Sequence, residues 1–199
     1  MIIDPKELKK IKSKINRYEK NFKRAQPFFD DGGGTRFLLG PLYLVVDDIE
    51  GAVKHYKWFA RKYSDSIDEP MHTLCRAITF FRNGKTKEAE YFFRRTHLSN
   101  TYLIPSLLGI PFYEMQVSQS WMWDTKEYAL GTDPLFLNVF SESDLNWLRN
   151  SWNQKEFQEL VKLHIELVEK LDKEPVGPVR SALVDKISNL CTKESRKKK

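Results

Sequence analysis

Residues 36–63 read RFLLGPLYLVVDDIEGAVKHYKWFARKY, and this stretch decides the fold. Asp47-Asp48 divides it into two apolar-periodic halves, which predicts helices over about Thr35–Val46 and Ile49–Tyr63. Pro41 removes one hydrogen bond from the first helix and is expected to bend it. Ala52 and Tyr56 in the second half return 37 residues later as Ala89 and Phe93. Gly40 and Tyr43 in the first half return as Ala77 and Phe80. The matching later helices are expected over Pro70–Arg82 and Thr86–Ser99, joined at Asn83-Gly84, where glycine supplies a left-handed turn. Small and aromatic residues recurring in one register mark helix hairpins that pack side by side. The chain therefore reads as all-α, a short stack of antiparallel helix pairs.

Working outward, residues 1–26 form a basic amphipathic capping helix running from about Pro5 to Ala25. Leu8, Ile11, Ile15, Tyr18 and Phe22 follow the 3-4 spacing of a narrow apolar seam, and Asp4-Pro5 is a favourable helix start. Gln26–Gly34 is a glycine-rich joint without the Gly-Lys-Ser/Thr that a phosphate loop requires. A third, degraded pair extends the repeats to 35–131: Pro105 stands 35 residues after Pro70, and SLLGIPFYEM echoes FLLGPLYLV. Residues 141–192 form a C-terminal helical cap. Ser141–Asp144 begins one long helix to about Leu171, and a short helix over Pro178–Leu190 follows. Residues 193–199 are a basic, disordered tail.

Leu39-Gly40, Tyr43, Ala52 and Tyr56, and then Ala77, Phe80, Gly84, Ala89 and Phe93, resemble the tetratricopeptide-repeat family. The resemblance covers residues 35–104 well and 105–131 poorly. Repeat spacings of 37 and 35 exceed the family's usual ~34 residues, and Phe59 and Thr96 replace its second alanine. It implies a right-handed stack whose concave face holds an extended peptide or helix. By position that face would present Phe37, Leu38, Pro41 and Leu44, then Leu74, Cys75, Ile78, Phe81 and Arg82, with Tyr113 from the degraded unit. The candidate partner site is thus Phe37, Leu74, Ile78, Phe81, Arg82 and Tyr113. The seam of the N-terminal helix would fill such an apolar groove in cis, or a partner helix or second copy would fill it in trans.

No metal or cofactor is expected. His55, His72, His97 and His164 show no helical ligand spacing, and Cys75 and Cys191 form no CxxC. His164 reads as a hydrogen-bonded core residue, and His97 as a complement to a negative helix end. Asp30-Asp31 and Asp47-Asp48 read as turn and capping residues. No nucleophile elbow, zinc-protease helix or kinase set occurs, so the chain reads as a non-enzyme. A charged start, MIIDPKELKK, and sparse cysteines point to the cytoplasm. The functional expectation is a scaffold for a protein or peptide, with self-association as an extension. The alternative is nucleic-acid binding through Lys9, Lys10, Lys12, Lys14, Arg17, Lys20, Lys23 and Arg24 together with the tail. A membrane partner is disfavoured, because the apolar stripe is narrow and carries no tryptophan anchor.

Overall fold

The computed structural model describes residues 4–24, 34–63, 69–118 and 123–190. The joint at 26–33, Asp30-Asp31, Trp121 and the 193–199 tail lie outside them. The helices are α1 (Pro5–Arg24), α2 (Thr35–Val45), α3 (Ile49–Lys62), α4 (Pro70–Arg82), α5 (Thr86–Ser99) and α6 (Leu103–Leu108). They continue with α7 (Lys126–Leu130), α8 (Pro134–Leu137), α9 (Glu142–Trp152), α10 (Lys155–Lys173) and α11 (Pro178–Ser188). Among the described residues there is no strand, and no helix is long and apolar enough to cross a membrane.

Adjacent helices pair closely. Tyr43 meets Gly51 beside the α2–α3 turn, Gly40 meets Tyr56 further on, and the rings of Phe37 and Phe59 lie 5.9 Å apart beyond that. This order makes α2 and α3 antiparallel. A Cβ on Gly40 would collide with the Tyr56 ring, so the approach requires glycine. Ala52, Tyr56, Ala77 and Ala89 are all 0% exposed, and Phe80 stacks on Phe92 at 5.6 Å in the α4–α5 pair.

The 37-residue register extends to the backbone. α2 ends with Asp48 N–H donating to Tyr43 O at 2.9 Å and Asp47 N–H to Leu44 O at 3.0 Å. α4 ends alike, with Lys85 N–H to Phe80 O at 2.8 Å and Gly84 N–H to Phe81 O at 2.9 Å. Both are the paired carbonyl cap that a left-handed residue permits; Gly84 has φ 71°, and Asp47 adopts φ 55° without being glycine. Asp48 then caps α3 by accepting from Gly51 N–H at 2.8 Å, the duty expected of it. α6 closes with the same motif at Gly109.

α2 is one helix with Pro41 inside it, as the expected span Thr35–Val46 has it. Two expectations need correction. The long C-terminal helix is two: α9 stops at Trp152, and α10 restarts at Lys155. Gln158 Nε2 donates to Trp152 O at 2.6 Å, satisfying a carbonyl freed by the break. The third pair is reduced to the six-residue α6 and, after the non-helical residues 110–118, the five-residue α7, which falls inside the expected return segment. The Ser141 start stands as expected: Ser141 and Asp144 form a reciprocal capping box on α9.

α1 docks by its seam, with Ile11, Ile15 and Phe22 buried and Leu8 and Tyr18 partly so. Phe22 packs on Trp58 of α3 at 5.1 Å, and Tyr43 of α2 donates to Glu19.

Candidate functional site

The expected groove is partly covered by the chain itself, through residues 123–152 rather than α1, and cavities remain beside Phe37, Leu38 and Pro41 and beside Leu44, Phe81 and Arg82. Phe37 meets Trp123 edge-on at 5.7 Å, Phe81 stacks on Trp147 at 4.7 Å, and Tyr128 donates to Glu69 while accepting from Met71 N–H at 3.1 Å. Leu74 and Ile78 are 0% exposed, so no partner reaches them. Arg82 is committed internally. Its Nε and Nη2 donate to Asp144, its Nη1 to Asp47 at 3.2 Å and its Nη2 also to Val139 O at 2.8 Å. Tyr113 is exposed, but it lies on the non-helical segment and donates to Glu169 of α10 at 3.0 Å. These six residues do not make one open surface. Contacts between elements distant in sequence divide the face, and local periodicity carries no trace of them.

The basic residues of α1 fare differently. Lys9, Lys10, Lys12, Arg17 and Lys20 are exposed and Lys14 partly so; the side chains of Lys23 and Arg24 lie outside the described residues. Because Phe22 of α1 sits on Trp58 of α3, the exposed face of α3 adjoins this surface. Lys54, Lys57 and Arg61, at helical spacing on α3, are exposed, as is Lys62. Residues 4–24 carry nine Lys/Arg against Asp4, Glu7 and Glu19, and α3 carries four against Glu50. Together they hold +9, whereas the remainder, leaving aside the +4 of residues 192–199, holds −7.

Between these helices lies a cavity of about 220 Å³. Phe22, Leu39, Tyr43 and Trp58 give it apolar walls; Glu19, Lys54 and His55 give it polar points, and Gly51 completes it. His55 is 5% exposed, and its Nε2 has no hydrogen-bond partner among the described residues. Burial, assisted by the Arg76 charge, lowers its pKa to about 3, so the imidazole is neutral at pH 7. Burial and the Glu19 hydrogen bond raise the Tyr43 pKa, which keeps its hydroxyl protonated.

The four histidines form two long-range pairs that spacing along the chain did not reveal. His55 and His72 lie 6.0 Å apart, and His97 and His164 lie 5.3 Å apart. His97 is wholly buried and driven well below its ordinary pKa by burial and by His164, so it does not complement a helix end as a cation. His164 is a core residue as expected, although its Nδ1 has no hydrogen-bond partner among the described residues. Among the described residues no group of three or more His, Cys, Asp or Glu is placed to hold a metal ion. Compared with family models, curated proteins and solved structures, the chain matches none.

Proposed function

We propose that this chain is a non-catalytic interaction module of the tetratricopeptide-like kind, holding an acidic protein segment on the basic face of α1 and α3. One observation carries the reading: α1 and α3, which flank a cavity with apolar walls, together carry +9, while the rest of the described body is acidic. An acidic segment is drawn to that face and repelled elsewhere, which steers encounter and fixes orientation. The repeated turn at Asp47 and Gly84, and small residues set against rings, support the stacked-pair architecture, with α1 capping one end.

The test is titration of the full chain with a glutamate-rich peptide, wild type against Lys54→Glu/Lys57→Glu/Arg61→Glu. These side chains are exposed, so helicity stays and affinity falls at least tenfold. Equal affinities would refute the proposal.

A second reading, nucleic-acid binding by the same lysines, draws on their exposure. Against it, Lys14 and Arg17 lie over the Tyr18 ring at 5.7 and 5.5 Å, and Trp58 is packed by Phe22, His55 and Tyr63. Neither ring is open as a stacking platform. Retention on single-stranded RNA that collapses with salt would favour this reading.

A further inference from the structure

We infer that the cavity between α2, α7 and α8 is a second binding site, taking an arginine side chain from a basic segment of a partner protein. The inference is independent of the proposed function, which concerns acidic segments on α1 and α3. The cavity encloses about 430 Å³, within the usual range of ligand sites. Its walls are aromatic: Phe37 and Trp123 stand nearly perpendicular, at 80° and 5.7 Å, and the partly buried Tyr128 and Phe136 line it beside them. Aromatic faces attract a cation, and a guanidinium also stacks flat upon them.

The charges decide the sign of the guest. Glu69, Glu127 and Asp133 line the cavity, and no lysine, arginine or histidine does. Glu127 and Asp133 are exposed, so a guest can reach them, and neither enters a salt bridge among the described residues. Asp133 Oδ1 accepts from Leu135 N–H at 2.8 Å, which leaves its other oxygen to a guest. Glu69 is set deeper. Its two oxygens accept from Tyr128 Oη and, at 2.6 Å, from His72 N–H, and both donors are neutral. Its negative charge adds to the field in the cavity without touching the guest. Arg36 packs over the Phe37 ring at 4.8 Å and the Tyr63 ring at 5.1 Å, outside the lining, so one positive charge stands behind the wall against three negative ones on it. No lysine or arginine occurs in residues 25–33, 64–68 or 119–122, the stretches joined in sequence to Gly34, Glu69 and Trp123. The neighbouring chain therefore offers no cation, and the guest comes from elsewhere.

The experiment uses three labelled peptides of Lys, Gly and Ser with Arg, Lys or Gln at the centre, the Gln peptide holding one extra terminal lysine so that net charges match. Their binding to the full chain is read by fluorescence anisotropy at low salt. The Arg peptide should bind tightest, over Gln by roughly tenfold, with Lys between. Glu127→Gln/Asp133→Asn, at exposed positions and with asparagine still able to cap α8, should weaken the Arg peptide by roughly fivefold or more with circular dichroism unchanged. Equal binding of all three peptides, or no loss in that variant, overturns the site. Free arginine binding as tightly as the peptide overturns the segment as the source. Binding seen only after Arg196, Lys197, Lys198 and Lys199 are all changed to Gln assigns the cavity to this chain's own tail and overturns the partner. Self-association that blocks the peptide overturns it in favour of a second copy. None of these outcomes bears on the glutamate-rich peptide and α3, so the two proposals fail separately.

Discussion

Acidification should destabilise this protein between pH 6.5 and 5, and the cause is four buried histidines. His55, His72, His97 and His164 are at most 5% exposed, and burial leads in lowering the pKa of each, to about 3 for His55 and about 4 for His164. Once unfolded, each protonates near pH 6.5, so the unfolded chain binds more protons below that value and stability falls as pH falls. By pH 5 a histidine that stays neutral in the fold removes about 2 kcal/mol, so His55 and His164 together remove about 4 kcal/mol, and the lowered His72 and His97 act in the same direction. Two acids oppose this, because burial raises Glu69 and raises Asp124 to about 6, so the fold takes up protons there as pH falls. Asp124 returns only about 1 kcal/mol by pH 5. The net loss is a sizeable share of the stability of a typical domain, about 5–15 kcal/mol. Urea denaturation followed by tryptophan fluorescence at pH 8, 7, 6 and 5 reads the slope directly, and Trp152 lies 6.1 Å from His97. His164→Leu should flatten the curve by about 2 kcal/mol between pH 7 and 5. A midpoint unchanged or raised at pH 5 would refute the burial argument.

Other perturbations test the packing. Asp144→Ala leaves Arg82 with Asp47 and Val139 O but without its buried carboxylate, and should cost about 1.5–3 kcal/mol in denaturant melts. Arg82→Met with Asp144→Leu should recover much of that loss; no recovery would show that more than the ion pair was lost. Gly40→Ala drives a methyl into the Tyr56 ring and should cost about 1–3 kcal/mol, visible as a lower melting temperature. Gly84→Ala places a side chain at φ 71° with open space around it, so only the backbone penalty of about 1–2 kcal/mol should register.

The helix pairs were legible because their cause is local. Gly40 against Tyr56, and Ala52 and Ala89 in the core, are written as spacing along the chain, and Asn83-Gly84 announces its own turn. The alanine register even points to the shared cap at Asp47 and Gly84, which the same 37 residues separate. Residues 123–152 doubling onto α2 and α4 left no such mark, since α7 and α8 are too short for any period to show. A groove read from position alone therefore proved to be interior at Leu74 and Ile78. The cavity arises where α1 returns against α3, and the histidine pairs join residues 17 and 67 apart; both depend on tertiary packing. The lysine-rich face needed no packing to be seen, yet its extension onto α3 did.

The most direct test of the account is an NMR titration of the full chain with the glutamate-rich peptide at low salt, following backbone amides. The account predicts that the largest shifts fall at Lys54, Lys57 and Arg61 of α3 and at Arg17 and Lys20 of α1, which are exposed. Shifts confined to the Phe81–Trp147 and Phe37–Trp123 contacts, or none at all, would contradict it.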